Sequence, residues 1–413
     1  MLELKGKYTN AKIFANTVEE SVTSQVYELL NHPMFKDEQI RIMVDTHAGK
    51  GCVIGMTSTN KNNIIIPNII GVDIGCSMLS LNLGKIDIDF KSLDDFIRNN
   101  IPNGSGIHSK KYNDYEIKND FLQKVERISK LTKSNYNRHL CSLGSLGGGN
   151  HFIEIATDKD NNKWLIIHTG SRNFGLQVAK YHQKIAENYC RQKVKDITLW
   201  KNQNIGKWKQ GKIRLNSING TPEDWINQMQ EQIDKYKVSK ELCFLEKYLS
   251  DDYIKDMKVA QEFAHHNRQI IAKILINYLN ITPIHIFETV HNYYDGEIIR
   301  KGAVSAKEGE LLLIPINMRD GSILAKGKGN KDYNYSAPHG AGRLMSRSMA
   351  KEKLDMAEFE YEMKNIYTTS VCNSTLDEAP MAYKPIEEII NNIGDTVEIL
   401  DILNPIYNFK SKQ

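Results

Sequence analysis

Short apolar runs along the chain predict a set of buried β-strands. Runs rich in Ile, Val, Leu and Trp, bounded by polar residues, occur at 63–70, 164–167, 284–290 and 311–316. A continuous apolar run of about four to eight residues is typical of a strand that is covered on both faces. Several of these runs are followed by turns rich in Gly, Ser and His, and binding sites often lie in loops at strand ends.

The middle of the chain changes to a helical period. Between residues 176 and 279 the apolar positions recur at helical spacing, most clearly at 251–279. Within that stretch, residues 191–240 are polar and rich in Lys, Gln and Asn, which predicts a solvated helical insertion. Further helices are expected at about 342–359 and 385–392.

This order of elements predicts an α+β fold. Strands without regular crossover helices argue against a TIM barrel or a Rossmann sheet. No G-x-G-x-x-G segment follows a strand and no P-loop occurs, so these common nucleotide-binding motifs are missing from the sequence. We expect residues 1–413 to form a single domain of packed β-sheets that hold the site, with a mainly helical insertion at about 176–279.

Composition and charge narrow the class of protein. The 413 residues are 40% hydrophobic and 25% charged, and the formal net charge of +4 is too small to indicate nucleic-acid binding by itself. No apolar run is long enough to cross a bilayer and the N-terminus lacks a signal-peptide pattern, which predicts a cytoplasmic protein. The six cysteines include no C-x-x-C pair, so we expect free, mostly buried thiols.

Four of the twelve histidines lie in polar segments rich in glycine. His151 lies in GGGNHF, His168 in HTGSR, His291 in VHN and His339 in PHGAGR. Each one alone could be a hydrogen-bonded structural histidine. However, glycines let the backbone approach a ligand closely and arginine binds phosphate, so the four segments together favour a functional site.

Asp73 and Cys76 add two candidate metal ligands in the segment GVDIGCSM. The structural alternative is a turn aspartate and a buried cysteine. On the functional interpretation, a thiolate can bridge two divalent ions and imidazoles can complete each coordination shell. One Asp, one Cys and three His could therefore hold two metals, and the residues alone do not decide between zinc, manganese and iron.

His339 has a different setting, because Gly-Ala-Gly-Arg and a predicted helix follow it. Backbone N–H groups and Arg343 could hold an anion beside such a histidine. The imidazole could then bind metal, act as a base or attack phosphorus. A structural turn at the start of a helix is the alternative.

Six motifs in order along the chain resemble the signatures of the RtcB family of RNA ligases. They are DIGC at 73–76, GNHFIE at 149–154, HTGSR at 168–172, HN at 291–292, RKGA at 300–303 and HGAGR at 339–343. The segments DEAP at 377–380 and YK at 383–384 are similar to the C-terminal part of that family. The resemblance extends from about Asp45 to Lys410 and implies the RtcB-like α+β fold.

The resemblance implies a GTP- and Mn²⁺-dependent ligase that joins RNA 3′-phosphate or 2′,3′-cyclic phosphate ends to 5′-hydroxyl ends, in RNA repair or tRNA splicing. His339 would attack the α-phosphate of GTP and hold GMP covalently. After a cyclic phosphate is opened, GMP would pass to the 3′-phosphate to give RNA(3′)pp(5′)G, and the 5′-hydroxyl would displace GMP. The GMP cap matters because a phosphate monoester is a poor electrophile without a leaving group.

The resemblance also implies a role for each matching residue. Two Mn²⁺ ions would be bridged by Cys76, with Asp73 and His151 on one ion and His168 and His291 on the other. The nucleotide would be bound by Asn150, Glu154, Asn292, Asn317, Ser322, Gly342, Tyr383 and Lys410. A fourth set of residues would either contact phosphate or RNA or support the nucleophile. It consists of Asp45, Arg172, Lys301 and Arg343.

The chain departs from the family pattern at several positions. Ser77 stands where glycine is common, Pro338 precedes the expected nucleophile, and Asn317 stands where a serine would face the nucleotide. Asparagine can still hydrogen-bond there, so GTP use is expected while the preference for GTP over ATP stays open. These departures suggest a divergent bacterial-type branch, for which we expect a release-factor-like rescue partner and a monomeric state.

Two other functions stay open. A metal-dependent RNA phosphoesterase or cyclic phosphodiesterase would keep the metal ligands but would give no longer product with a 5′-hydroxyl acceptor. A non-enzymatic factor that binds RNA ends would form no covalent nucleotide adduct, and the near-neutral charge makes it the least favoured of the three.

Overall fold

The computed structural model describes residues 1–214 and 220–411 and shows a mixed α+β architecture. The strands are β1 Leu2–Lys5, β2 Asn10–Ile13, β3 Ile40–His47, β4 Ile54–Thr59, β5 Ser77–Gly84, β6 Phe152–Thr157, β7 Lys163–Thr169, β8 His285–Val290, β9 Asn292–Tyr294, β10 Ile298–Lys301, β11 Ala303–Ser305, β12 Leu311–Asn317, β13 Gly321–Gly327, β14 Ser336–Pro338 and β15 Val397–Lys410. The α-helices are α1 Glu20–Leu30, α2 Pro67–Ile70, α3 Phe90–Asn100, α4 Asn119–Leu131, α5 Tyr136–Ser142, α6 Arg172–Lys209, α7 Pro222–Tyr236, α8 Tyr248–Leu279, α9 Arg347–Lys353, α10 Met356–Glu362 and α11 Ile386–Ile393.

Two large sheets and a two-stranded ribbon form the β-structure of the described residues. The first sheet has the order β1-β2-β3-β4-β10-β9, with only the β2–β3 pair parallel. The second has the order β12-β13-β15-β6-β7-β5-β8 and is antiparallel throughout. Its two edge strands meet, because the N–H of Leu313 on β12 donates to Thr289 Oγ1 on β8 at 3.1 Å. The ribbon pairs β11 with β14.

The largest apolar cluster joins both sheets to the long helices. It includes Ile42 of β3, Leu79 of β5, Ile153 of β6, Phe174 of α6 and Phe263 of α8, all of them buried. Helix α8 therefore packs one face against this core, while residues such as Lys255, Lys258 and His265 on its other side stay exposed. Among the described residues, no helix is both long and apolar enough to span a membrane.

Three of the four predicted strands are confirmed, and the fourth prediction is wrong. Strands β7, β8 and β12 cover the predicted positions, although β8 is an edge strand whose first two residues are exposed. At 63–70, Ile65 makes only an isolated bridge to Leu245 and α2 begins at Pro67. Proline is well suited to the first turn of a helix, and a short apolar run does not distinguish a buried strand from a buried helix.

The helical interpretation of 176–279 is confirmed for the residues that the structure describes, by α6, α7 and α8. Residues 215–219 of that stretch lie outside the described part of the chain. The helix predicted at 385–392 is confirmed by α11. The six cysteines are free thiols and four of them are buried, as predicted.

The prediction of a single helix at 342–359 is wrong in two respects: the helical structure begins later, and it is divided into two helices. Gly342 has a φ of +75° and Arg343 forms a bridge with Tyr383, so the chain after His339 is not helical. Helices α9 and α10 come later, and each has its own N-cap, Ser346 and Asp355. In the described part of the chain no helix begins next to His339, so the expectation that a helix start would support an anion site there is wrong.

Candidate active site

The register of the seven-stranded sheet brings four predicted metal ligands to one end of it. Cys76 directly precedes β5, His151 directly precedes β6, His168 lies near the end of β7, and His291 directly follows β8. These four strands are neighbours and run antiparallel, in the order β6-β7-β5-β8. Because antiparallel neighbours alternate in direction, the starts of β6 and β5 lie beside the ends of β7 and β8.

Cys76, His151 and His168 form a close, buried group. The Sγ atom of Cys76 lies 3.2 Å from His168 Nε2 and 3.6 Å from His151 Nε2. The three potential ligand atoms lie within 4.8 Å of one another. Asp73 adjoins the group, with its Oδ2 3.1 Å from His151 Nε2. His291 also adjoins it, with its ring centroid 5.4 Å from that of His168.

Backbone hydrogen bonds aim the two histidines of this group at the thiol. The Nδ1 atom of His151 lies 3.0 Å from the Leu146 carbonyl, and Nδ1 of His168 lies 3.2 Å from the Asn150 carbonyl. A carbonyl only accepts, so each Nδ1 donates. In a neutral imidazole this leaves the Nε2 lone pair directed at the Cys76 side of the site.

This donor set fits a divalent metal. Nε2 of His151 faces an Asp73 carboxylate oxygen at 3.1 Å, a contact that a proton on Nε2 satisfies in the metal-free site and that a bound cation would satisfy in its place. Imidazole, thiolate and carboxylate together match the ligand preferences of first-row transition metals. The second contact of Asp73 holds it in place, because the backbone N–H of Ser171 donates to Asp73 Oδ1 at 3.2 Å.

Burial favours the neutral forms of several groups in the cluster. It raises the pKa of Cys76 well above the usual value, and the charge of Asp73 raises it further. Burial lowers the pKa values of His168 and His291 well below the usual value, and neighbouring histidines add to this. Burial opposes the ionisation of Asp73, but its interaction with His151 outweighs that effect and lowers the pKa. Neutral imidazoles are the form that binds metal.

Two side chains of α8 hold the loops that present these ligands. Asn267 Oδ1 accepts from the N–H groups of Gly144 and Ser145 at 2.8 and 3.1 Å, and its Nδ2 donates to the carbonyls of Ser145 and Gly170. Arg268 NH1 donates to the Gly75 carbonyl at 2.9 Å.

Arg268 NH1 also donates to the carbonyl of Thr169, at 2.8 Å. Gly75 and Thr169 immediately adjoin Cys76 and His168 in the chain. Both Asn267 and Arg268 are fully buried, so we infer that α8 fixes the spacing of the candidate metal ligands.

We expect Asn267→Leu to lower both stability and metal affinity. The change leaves two buried N–H groups and two carbonyls without their partner, which should reduce the free energy of unfolding by about 2–4 kcal/mol. Loosened ligand loops should weaken metal binding by about 10–100-fold. Urea denaturation and a metal titration test this. Asn277→Leu, an exposed position on the same helix, is the control, and equal metal affinity of the two variants would contradict the positioning role.

His339 lies next to this cluster and is oriented by Asp45. The His339 ring centroid lies 5.0 Å from that of His291. Its Nδ1 donates to Asp45 Oδ2 at 2.6 Å, and its backbone N–H donates to the same oxygen at 3.1 Å. Asp45 is fully buried on β3, whereas His339 is partly exposed. The carboxylate thus orients the ring through Nδ1 and leaves Nε2 of His339 as the ring nitrogen that could contact a ligand.

A cavity beside His339 collects most of the predicted nucleotide-binding residues. Predicted site residues that line it are Asn150, Glu154, His168, Asn317, Ser322, His339, Gly342, Arg343, Tyr383 and Lys410. Glu154 lies on β6 and Lys410 on β15, which pair in the same sheet. The cavity therefore extends from the metal-ligand end of the sheet to a group of polar residues on the neighbouring strands.

Three buried polar atoms of this group have no hydrogen-bond partner among the described residues. They are Glu154 Oε1, Ser322 Oγ and Asn408 Oδ1. The amide of Asn408 donates to the other carboxylate oxygen, Glu154 Oε2, at 2.8 Å. Buried polar atoms are normally paired, so these three atoms mark a place where a polar ligand fits.

Burial raises the pKa of Glu154 to about 8, although the Asn408 hydrogen bond and the charge of Lys410 act in the opposite direction. The pKa of this carboxyl in the unfolded chain is near 4.5. Between pH 4.5 and about 8, the folded protein therefore binds the Glu154 proton more tightly than the unfolded chain does. The contribution of Glu154 to stability is therefore complete below about pH 4.5 and is lost as the pH rises through about 8.

We expect Glu154→Gln to flatten this pH dependence in metal-free, nucleotide-free protein. Relative to the variant, the wild type should lose roughly 2–4 kcal/mol of unfolding free energy between pH 5 and 8.5. Urea denaturation at several pH values measures the difference. Glu387→Gln, an exposed position, is the control. If the wild type and Glu154→Gln gave parallel pH curves, Glu154 would not be the titrating group.

Glu378 organises the opposite side of the cavity. Lys410 Nζ donates to Glu378 Oε2 at 2.7 Å, and Tyr383 Oη donates to the same oxygen at 2.7 Å. Arg347 NH1 lies 2.7 Å from Glu378 Oε1. Burial opposes ionisation of Glu378, but the charges of Lys410 and Arg347 outweigh it, so its pKa falls to about 2. Glu378 is therefore a fixed negative charge that positions three cavity residues.

Four predicted site residues use their polar side chains to hold neighbouring protein segments, and a fifth, Gly342, permits a close backbone approach. Asn292 bonds the Asp73 carbonyl and the Gly302 N–H, and Asn317 bonds Asp320 and two N–H groups of its own loop. Arg172 bonds Ser145 and the Gly104 carbonyl. Lys301 is buried, bonds the Lys50 and Asn68 carbonyls and does not line the cavity. A Cβ at Gly342 would lie 2.4 Å from the Asp45 carbonyl oxygen, so glycine permits that contact.

Several cavity and support residues were missed by the sequence reasoning, and some had a detectable signal. Phe152 and Asn408 lie two residues from Glu154 and Lys410, and residues two apart on a strand share a face. Asn267 and Arg268 lie between Ala264 and Ile271 on the apolar face of α8, where polar residues are unexpected. Arg347 had no such signal.

Comparison with known proteins gives a consistent result. The family model described as "tRNA-splicing ligase RtcB" matches residues 25–205 and 219–411. The chain is 28% identical over 428 residues to the RNA-splicing ligase RtcB of Escherichia coli strain K12, with 94% of each chain covered. It is 27% identical over 439 residues to the tRNA-splicing ligase RtcB of Aeropyrum pernix, with 84% of this chain and 82% of that protein covered.

Proposed function

This chain belongs to the RtcB family, and on that premise we propose that it is an RNA ligase that joins 3′-phosphate or 2′,3′-cyclic phosphate ends to 5′-hydroxyl ends. The observation that supports this best is the placement of His339. A histidine oriented by a buried carboxylate lies between a metal-type ligand cluster and a cavity with unpaired polar atoms. A nucleophile, a metal site and a ligand cavity side by side suit transfer of a nucleotide through a covalent histidine intermediate.

We propose that the metal site holds two Mn²⁺ ions. Asp73 and His151 would hold one ion and His168 and His291 the other, with the Cys76 thiol within reach of both pairs. The bound metals would neutralise negative charge on a triphosphate and polarise its phosphorus–oxygen bonds. The protein's own part is to aim the imidazoles of His151 and His168 by their backbone contacts.

We propose that GTP lies in the cavity with its base next to Glu154 and its α-phosphate next to His339. Guanine offers N1–H and a 2-amino group as donors, and adenine lacks that amino group. The unpaired Glu154 Oε1, with the carboxyl ionised, could accept these donors together with Ser322 Oγ. Tyr383 and Lys410 are held by Glu378 on the same side of the cavity, where the ribose would lie. This arrangement favours GTP over ATP.

The chemical steps then follow from the residues at the phosphate end. His339 Nε2 would attack the α-phosphorus, a nitrogen–phosphorus bond would form, and pyrophosphate would leave. Asp45 keeps the proton on Nδ1 and stabilises the positive charge that develops on the ring. A 3′-phosphate oxygen of the RNA would next attack the histidine-bound phosphorus and release the imidazole.

Sealing would complete the sequence. The 5′-hydroxyl of the second RNA would attack the 3′-phosphate, form the new phosphodiester and release GMP. Arg343, Asn150 and Arg172 are the proposed contacts to phosphates, and of these Arg343 and Asn150 line the cavity. For Asn292, Asn317 and Lys301 we propose support of the site, since their polar groups hold the backbone.

We further propose that the whole chain acts as one ligase domain with helices 176–279 as part of it, because α6 and α8 share the main apolar cluster with both sheets. A role in RNA repair or tRNA splicing fits this reaction. The cytoplasmic location, the monomeric state and the release-factor-like partner stay predictions from the sequence.

The test is a sealing assay with purified protein, Mn²⁺ and GTP. The substrates are one RNA that ends in a 2′,3′-cyclic phosphate and one that begins with a 5′-hydroxyl. We expect a longer, phosphatase-resistant product, and no such product when the acceptor begins with a 5′-phosphate. Opening of the cyclic phosphate without a longer product would reject the ligase and support the phosphoesterase alternative. ATP in place of GTP tests the nucleotide preference.

A further inference from the structure

The second half of α6 leaves the core of the molecule. Its buried residues all fall between Phe174 and Cys190, and no residue from 191 to 209 is buried. The helix begins at the candidate active site, where the Ser171 N–H donates to Asp73. With 38 residues, α6 is about 57 Å long, so its second half lies about 29–56 Å from that site along the helix axis.

This half of the helix is strongly basic. Residues 191–209 of the helix contain six Lys or Arg residues and one acidic residue, in a chain whose formal net charge is only +4. None of the six takes part in a salt bridge with any residue that the structure describes. The positive charge is therefore available to an external partner.

Part of this charge lies on one open face of α6. Positions three or four apart on a helix share a face, and along this face lie Arg191, Lys195, Leu199, Asn202, Gly206 and Lys209, which we name the basic stripe. All are exposed except Gly206, which is half-buried and where a Cβ would meet no atom within 4 Å. The stripe contains no carboxylate and is about 27 Å long.

Helix α7 covers the other side of α6 and leaves the stripe open. The rings of Trp200 and Trp225 lie 5.4 Å apart, and Lys201 Nζ donates to Gln230 Oε1 at 2.9 Å. Lys193 Nζ lies 6.0 Å from the centre of the Tyr236 ring. The aromatic residues of this helix pair are thus on the α7 side, and the stripe itself has only cationic, amide, glycine and Leu side chains.

We propose that the basic stripe binds the sugar–phosphate backbone of a duplex region in the substrate RNA, whose broken end lies in the active site. This proposal rests on the proposed ligase function. Single-stranded RNA is usually bound by stacking on aromatic side chains, which the stripe lacks. Cations and amides in a row contact phosphates and sugars without reading sequence. At the rise of about 2.8 Å per base pair of an A-form RNA duplex, the stripe matches roughly ten base pairs, starting about 29 Å from the site.

Salt-dependent binding of two RNAs tests this. One is a hairpin with a stem of about 20 base pairs that ends in a 2′,3′-cyclic phosphate, and the other is a short single strand with the same end. The test variant combines Arg191→Gln, Lys195→Gln and Lys209→Gln, and the control combines Lys5→Gln, Lys91→Gln and Lys326→Gln. All six positions are exposed, and circular dichroism and melting temperatures check that both variants fold.

We expect the stripe variant to bind the hairpin more weakly, with a slope of log Kd against log salt that is smaller by up to about three. Its KM for hairpin ligation should rise, while binding of the short strand and formation of the GMP adduct should match the wild type. The control should match the wild type in every measurement.

Equal salt slopes for the wild type and the stripe variant on the hairpin would overturn the proposal and direct the search to an acidic protein partner. If the wild type formed no GMP adduct but the difference in slopes remained, the ligase function would be rejected and the RNA-binding surface would stand. The two proposals can therefore fail separately.

Discussion

His339→Ala is expected to abolish the covalent nucleotide adduct and to reduce RNA sealing by at least about 10⁴-fold, because no other group replaces a lost nucleophile. The measurement uses GTP labelled at the α-phosphate, followed by denaturation and detection of label on the protein. An adduct that is acid-labile, as a nitrogen–phosphorus bond should be, identifies the histidine. Label retained by His339→Ala would contradict the assignment of the nucleophile.

Two further variants distinguish loss of the His339 imidazole from a general loss of folded structure. Asp45→Asn should slow adduct formation by about 10²–10⁴-fold while the adduct remains detectable, because the ring loses its orienting charge but keeps its nitrogen. His285→Ala removes an exposed histidine on β8 and should leave the adduct unchanged. A wild-type rate in Asp45→Asn would show that the 2.6 Å contact to His339 is only structural.

Cys76→Ala is expected to remove metal binding together with nearly all activity. The thiol lies within reach of both His151 and His168, so its loss opens the three-residue cluster. Wild-type protein at a metal concentration about 100 times its Kd should gain about 2.7 kcal/mol, seen as a rise in melting temperature. Cys76→Ala should show little rise, and elemental analysis should find it depleted of manganese.

Cys141→Ser serves as the matched thiol control, since that half-buried cysteine lies outside the cluster. It should bind metal and ligate RNA as the wild type does. If Cys76→Ala kept a full metal complement after dialysis, the thiol would not be a ligand and the proposed arrangement of the two ions would have to change.

The local elements with a strong period were predictable from the sequence. The apolar runs at β7, β8 and β12 and the helical period of α8 appear in the structure where expected. The wrong secondary-structure predictions concern segments in which the spacing of apolar residues does not distinguish a helix from a strand or a loop. A short apolar run containing Pro67 turned out to be helical, and the stretch after Gly342 was interrupted by a left-handed glycine and two separate caps.

For the site, the sequence motifs indicated which residues matter but not how they meet. The grouping of Cys76 with His151 and His168 depends on strand pairings such as Phe152–His168 and Met78–His168, which join distant segments. No local signal encodes such a register. The hydrogen bonds from Asn267 and Arg268 to the loops that carry the ligands likewise depend on how α8 packs against those loops, which the sequence does not show.

Strand β15, the last strand of the chain, lies inside the seven-stranded sheet between β13 and β6. This position affects the order in which the strands can pair while the chain is being synthesised. Strands β5 to β8 can pair as soon as residues 77–290 have been made, whereas β6 waits for residues 397–410 to cover its other side. A nascent chain could therefore gather its cluster ligands first, with the edge of β6 exposed to unwanted pairing. Lys410 and Asn408, which belong to the proposed nucleotide cavity, lie on β15 and are made last. The nascent chain would therefore be able to bind metal before it could bind nucleotide.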